Sequence, residues 1–220
     1  LSYCTTELCF LYTPLIERKK LIKGMNMTKK NTSNKRMDST TKYIDALSAN
    51  YSKLNIVRVD LAYKKPHSDD MTLEDANRDL DRMFNNMRSK PSIFENKVGY
   101  VCKREYTKKK GVHFHTVFIY DGQKVQNDIF KGEQIGKYWN QITEEKGSYH
   151  NCNRTKYEER GVGMLEHNDS DKRRILDEVV LHYMHKDEQN IKQVAENKKT
   201  RAFTRGVAPK KKGNIGRPRG

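Results

Sequence analysis

Cysteine is sparse and badly spaced for chemistry in this 220-residue chain. Cys4, Cys9, Cys102 and Cys152 form no C-x-x-C pair. That argues against a zinc ribbon or a thioredoxin-type site, and the thiols read as reduced cytosolic ones. Long apolar runs are also missing. The opening stretch "LSYCTTELCFLYTPLIERKK" has no basic segment ahead of its apolar part, so neither a signal peptide nor a membrane helix is expected, and a cytoplasmic location in a bacterial host cell is. No internal repeat is present. Acid is in short supply: 28 Asp and Glu face 44 Lys and Arg, a net charge of +16. From Asn197 onward there is no acidic residue at all. A chain this basic favours a polyanion, with nucleic acid first among candidates. Hydrophobic content is 35% against 33% charged, and the mean hydropathy is −0.99. Part of the chain is therefore expected to be tail or solvated arm.

The chain begins with Leu1, and Met25 and Met27 follow. Residues 1–24 are set aside from the fold on the expectation that one of these methionines is the natural start. Residues 1–42 are expected to be a flexible or non-native extension, 43–196 the folded domain, and 197–220 a basic tail. "NIVRVDLAY" (55–63) alternates as a strand, with Val57, Val59 and Leu61 on one face and Arg58 and Asp60 on the other. "TLEDANRDLDRMFNNMR" (72–88) reads as a helix opened by a capping box at Thr72 and Asp75. "KVGYVCKREY", "TKKKG" and "VHFHTVFIYD" form a strand, a turn and a strand. A helix is expected over 129–143, a short strand near 161–165 and a long helix over 170–196, whose apolar stripe is Leu176, Val179 and Val180, continuing to Tyr183. This order predicts an α+β domain, with an antiparallel sheet covered by helices. Residues 144–170 are long and polar for a loop and get no further account.

Within the second hairpin strand, His113 and His115 point to one side and Val112, Phe114 and Phe118 to the other. A five-residue turn over 107–111 pairs Tyr106 with Val112 and places Glu105 directly opposite His113. Glu105, His113 and His115 then converge, and two imidazoles with a carboxylate suit a divalent cation that must also accept a substrate oxygen. Asp60 can join them or orient one of them if its strand is adjacent. On the last helix Tyr183 and Lys186 are three residues apart and face one way. A phenol aimed at such a site is a candidate nucleophile, and Lys186 a candidate phosphate or phenolate partner. Lys103, Arg104, Lys108, Lys109 and Lys110, in and beside the hairpin turn, are candidate phosphate contacts. "APKKKGNIGRPRG" ends in a Gly-Arg-Pro-Arg similar to an AT-hook core; it is read as a disordered basic tail in which Arg217 and Arg219 contact phosphates. Tyr138 and Trp139 are read as core.

An H-x-H on a strand, a glutamate eight residues before it and a helical Y-x-x-K together resemble the HUH single-strand endonucleases. "IVRVDLAY", "GYVCKREYTKKKGVHFHTVFIYDG", "IGKYWNQIT" and "LHYMHKDEQ" are most similar to the filamentous-phage (inovirus-type) rolling-circle replication initiators and to the YagK/YfjJ C-terminal domain, over residues 55–190. The resemblance implies a central antiparallel sheet of about five strands with flanking helices, related to the RNA-recognition-motif topology. It implies metal ligation by His113, His115 and Glu105, with Mg²⁺ or Mn²⁺ as the cofactor and no small-molecule cofactor. It implies Tyr183 as nucleophile and Lys186 as its helper, and it makes the chain an enzyme that nicks single-stranded or origin-hairpin DNA. The expected products are a 5′-phosphotyrosine link and a free 3′-OH, with host helicase and polymerase as further partners. Some phage initiators carry two tyrosines on this helix. Here Tyr183 is the last tyrosine of the chain, so circle closure would need a second protomer or a second use of Tyr183. The other reading is a non-catalytic, prophage-derived DNA-binding regulator on the same fold.

Overall fold

The computed structural model describes residues 27–185, 191, 194–195 and 201–210. A six-stranded antiparallel sheet carries the domain, with helices on both faces. The elements run α1 (Met27–Asn50), β1 (Lys53–Tyr63), α2 (Leu73–Asn85), β2 (Lys97–Thr107), β3 (Gly111–Asp121), α3 (Asp128–Ile142), β4 (Gly147–Asn151), β5 (Gly163–Glu166), α4 (Ser170–Ile175), a π-helical turn (Leu176–Leu181), α5 (His182–His185) and β6 (Phe203–Arg205). Strand order is β4-β1-β3-β2-β6, and β5 also pairs with β1. The α+β class expected from the sequence is the one observed.

Side-chain alternation explains the two layers. Val57, Val59 and Leu61 of β1 and Phe114 and Phe118 of β3 meet Leu73, Ala76, Leu80 and Met83 of α2 and Ile135, Tyr138 and Trp139 of α3. Trp139 is fully buried and its Nε1 donates to Ala62 O at 2.9 Å. On the opposite face, Ile56, Val101, Val117 and Ile119 meet Tyr43, Ile44 and Leu47 of α1 and Leu176, Val180, Leu181 and Met184 of the last helical segment. Each of these buried aliphatic and aromatic side chains contributes about 1.5–3 kcal/mol. The second face is apolar over only part of its length; the rest carries the two histidines.

Several elements depart from the sequence reading. Residues 25–42 were expected to be flexible, yet α1 begins at Met27 and runs unbroken to Asn50. Its polar first half lacks an apolar stripe, and its burial comes late, at Thr40, Tyr43, Ile44 and Leu47. The stretch 144–170 contains β4 as well as the expected short strand, which is β5. The basic tail contains β6, which pairs Val101 with Arg205 and Lys103 with Phe203 at the edge of the sheet. The π-turn adds a residue to the helical repeat. Of the expected stripe Leu176 and Val180 are buried, but Leu181 and Met184 take the places of Val179 and Tyr183, which are half-buried. The remaining predicted helices agree: Thr72 caps α2 by accepting from Asp75 N at 3.1 Å, and α3 spans the expected residues within one at each end.

The hairpin that carries the site is locked by Gly111. Its φ of +68° lies in the left-handed region, and a Cβ there would stand 2.3 Å from Ser68 O. Both penalties fall on backbone that cannot give way. Gly111→Ala is therefore expected to lower stability by at least about 2 kcal/mol, or roughly 4–8 °C in Tm. A thermal melt indistinguishable from the parent protein would contradict this account of the turn.

Candidate metal centre and tyrosine

The register expected for the hairpin is the register found. Tyr106 pairs with Val112, Glu105 with His113 and Lys103 with His115. On the other side of β3, His115 pairs with Asp60. One row across three strands thus reads Asp60, His115, Lys103, and the next row adds His113 and Glu105. All five share a sheet face because paired residues do.

Glu105 is the hub. Its Oε2 lies 3.1 Å from His115 Nε2 and 3.4 Å from His113 Nε2. Its Oε1 pairs with Lys103 Nζ. Glu105, His113 and His115 are all buried, and one ligand atom from each falls within 4.8 Å of the others. Adjacent ligands of an octahedral ion with bonds near 2.1 Å sit about 3 Å apart. The two observed separations match that spacing, so these three residues could hold a metal ion.

Hydrogen bonding to the far ring atoms sets which nitrogen is offered. His113 Nδ1 donates to Gly111 O at 3.0 Å, which leaves Nε2 aimed at Glu105. His115 Nδ1 lies 2.9 Å from Asp60 Oδ1. Carboxylate, imidazole and metal position in sequence is the usual way of fixing such a ligand. Asp60 in turn receives Arg58 Nε and an Arg58 terminal nitrogen, each at 3.3 Å.

Charge follows from these contacts. Burial disfavours ionised Glu105 more than any other single effect does. The hydrogen bonds from His113 and His115, with the charges of His115 and Lys103, outweigh it and hold the carboxyl well below the usual range. Burial likewise opposes ionised Asp60, but Arg58 and His115 win and keep it far below ordinary. Burial alone would lower His115; Asp60 and Glu105 override it and raise its pKa.

Tyr183 closes the site from the helical side. Its ring meets that of His115 edge-on, with centroids 5.2 Å apart and planes at 85°. The Arg58 guanidinium sits over the same ring, 4.9 Å from its centroid. A phenol between an imidazole of the cluster and a guanidinium can be deprotonated and its anion stabilised.

Of the expected site residues, Glu105, His113, His115, Asp60 and Tyr183 come together. Lys186, Arg217 and Arg219 lie outside the described residues. Lys108, Lys109 and Lys110 form the exposed turn. Lys103 and Arg104 do not join them on that surface. Lys103 is buried against Glu105, its side chain 8% exposed. Arg104 pairs with Phe114, so it points to the opposite face, where its Nε donates to Asn77 Oδ1 at 2.9 Å. The sequence reading missed the roles of Lys103 and Arg58 at the site. Strand parity held the signal: Lys103 lies two residues from Glu105 and Arg58 two from Asp60, on the faces already assigned to the site.

The electrostatics predict two observables. His115 is expected to titrate above its ordinary value of about 6.5, and Asp60→Asn to bring it down; imidazole NMR in metal-free buffer checks both. The stability His115 contributes is full below about pH 6.5 and is lost as pH rises through its raised value. The share of Glu105 and Asp60 is full above about pH 4.5 and is lost as pH falls through their depressed values. A His115 resonance titrating at or below the ordinary value would refute the arrangement.

No helix among the described residues is long and apolar enough to cross a membrane. No curated protein and no solved structure matches the chain. A family model does, that of the YagK/YfjJ C-terminal domain, over residues 17–205. The match runs from before α1 to the end of β6, taking in both helical layers, the hairpin and the Tyr183 segment, so the chain belongs to the YagK/YfjJ C-terminal domain family.

Proposed function

We propose that this protein is a metal-dependent DNA nickase that uses Tyr183 as its nucleophile, of the HUH type that starts rolling-circle replication of a phage or mobile element. One observation carries the reading: the Tyr183 ring packs edge-on against His115, which itself faces Glu105 and His113. A nucleophile-bearing helix and a three-ligand cluster meet at one spot.

The chemistry balances without a nucleotide. The Tyr183 phenol gives up its proton, and its oxygen attacks the phosphorus of a DNA phosphodiester. The P–O3′ bond breaks, the 3′ oxygen takes a proton, and the 5′ phosphate stays on Tyr183 as a phosphodiester. Arg58, over the phenol ring, favours the anionic nucleophile. Asp60 keeps His115 oriented. A bound Mg²⁺ or Mn²⁺ held by Glu105, His113 and His115 would polarise the scissile phosphate. Lys108, Lys109 and Lys110 at the turn, with Arg217 and Arg219, supply sequence-independent phosphate contacts.

Incubation with labelled single-stranded DNA and Mn²⁺ is expected to give an adduct that survives denaturing electrophoresis. Tyr183→Phe abolishes it, EDTA abolishes it, and His113→Ala or His115→Ala reduces it at least about 100-fold. Protein still attached to DNA in Tyr183→Phe would remove Tyr183 from the mechanism. DNA binding without any adduct, on the element's own origin as well, would leave a regulator on the same fold.

The tail test must respect β6. Removing residues 211–220 alone spares the strand and takes away four Lys and Arg. It is expected to weaken DNA binding and flatten its salt dependence by up to about three units of log–log slope; an unchanged slope would show that the tail makes no phosphate contact.

A further inference from the structure

Beside β6, at the edge of the sheet, lies an open groove of about 780 Å³. It is lined by Lys35 and Arg36 of α1, Tyr100 of β2, and Arg201, Phe203 and Arg205 in and beside β6. Four cations and the Phe203 ring line the groove, and no acidic residue lines it among the described residues. Arg205 is fixed there: its guanidinium hydrogen-bonds Ser39 Oγ at 2.9 Å and lies 5.0 Å over the Tyr43 ring.

The groove leads toward the candidate metal centre. Phe203 pairs with Lys103, and Arg205 with Val101, so Phe203 and Arg205 occupy the sheet face that holds Glu105, His113 and His115. One strand spacing, about 4.8 Å, separates β6 from β2. The His185 ring stacks on Phe203 with centroids 4.5 Å apart, two residues from Tyr183. Burial first, then the charges of Lys103 and Arg36, push His185 down to about 4, so Lys103 of the centre and Arg36 of the groove both act on one imidazole.

We infer that this groove binds single-stranded nucleic acid and guides one strand past Phe203 and His185 toward Tyr183. The cations match a row of phosphates. Phe203 offers a ring that only an unstacked base can reach, which selects a single strand over a duplex. The inference deepens the nickase reading by placing its substrate strand, but the binding itself is independent of cleavage.

The test separates the two. Binding is measured in Tyr183→Phe with EDTA present, using fluorescent oligo-dT of twenty nucleotides and a blunt duplex of equal length across a salt series. Adding Lys35→Glu and Arg201→Glu, both at exposed positions, is expected to weaken oligo-dT binding at least tenfold. The slope of log K against log salt should fall by about 1.4, from two lost single-strand phosphate contacts. Duplex binding should suffer less. Lys124→Glu with Lys137→Glu, the same charge change at two exposed lysines that do not line the groove, serves as control. Unchanged affinity and slope, an equal loss on duplex, or an equal loss in the control would each overturn the groove. Adduct formation by the Tyr183 protein carrying the groove substitutions, at saturating DNA and Mn²⁺, reports on the nickase reading alone.

Discussion

A buried carboxylate governs this structure. Glu105 is 3% exposed in the middle of a sheet, where an uncompensated charge would cost several kcal/mol. Its two oxygens are divided: Oε1 to Lys103, Oε2 to His113 and His115. That division works in one register only. Slipping β2 against β3 by one residue would send Glu105 to the face where Phe114 and Phe118 pack. The hairpin turn, with Gly111 pressed on Ser68 O, therefore does more than reverse the chain. It decides which atoms share the face with Tyr183.

The same face is built in two halves with different physics. Toward one end Ile56, Val101, Val117 and Ile119 are covered by α1 and the last helical segment. Toward the other, Asp60, His115, Lys103, His113 and Glu105 replace hydrophobic contact with a chain of ion pairs. The helical segment spans both halves. Leu176, Val180, Leu181 and Met184 anchor it in the apolar part, so Tyr183 is delivered to the polar part by packing that has no chemistry of its own. The π-turn sets the angular position at which the tyrosine arrives.

The site was legible in the sequence because it sits on local periodicity. An H-x-H on a strand and a glutamate across a short turn need only strand alternation and a turn length to be brought together. Tyr183 was found because it continues an apolar stripe. What escaped depended on long-range contacts. The first half of α1 carries no apolar stripe, and the helix is held by burial further along, at Tyr43 and Leu47. Strand β6 is three residues of a cationic segment; only the open edge of β2 makes it a strand, and nothing within "FTR" says so. Lys103 reads as a surface cation beside Lys108, Lys109 and Lys110, which are exposed. Parity would have assigned it to the Glu105 face, but the cost of burying a lysine argues against that placement until its partner carboxylate is recognised.

Lys103 also bears on what the cluster is for. Its ammonium occupies the Glu105 oxygen that does not face the histidines. A divalent ion on Oε2, His113 Nε2 and His115 Nε2 would share one carboxylate with a fixed positive charge, and His115 would have to yield its Nε2 proton. Both effects weaken metal binding relative to an unpaired carboxylate. Asp60 acts in the opposite direction by drawing positive charge onto His115 Nδ1. As it stands, the cluster neutralises itself with the chain's own cations. The nickase reading asks more: a metal must outcompete a proton on His115 beside Lys103, and the phosphates of a bound strand would help by adding negative charge at that spot. Metal and DNA would then bind cooperatively, each lowering the electrostatic cost of the other.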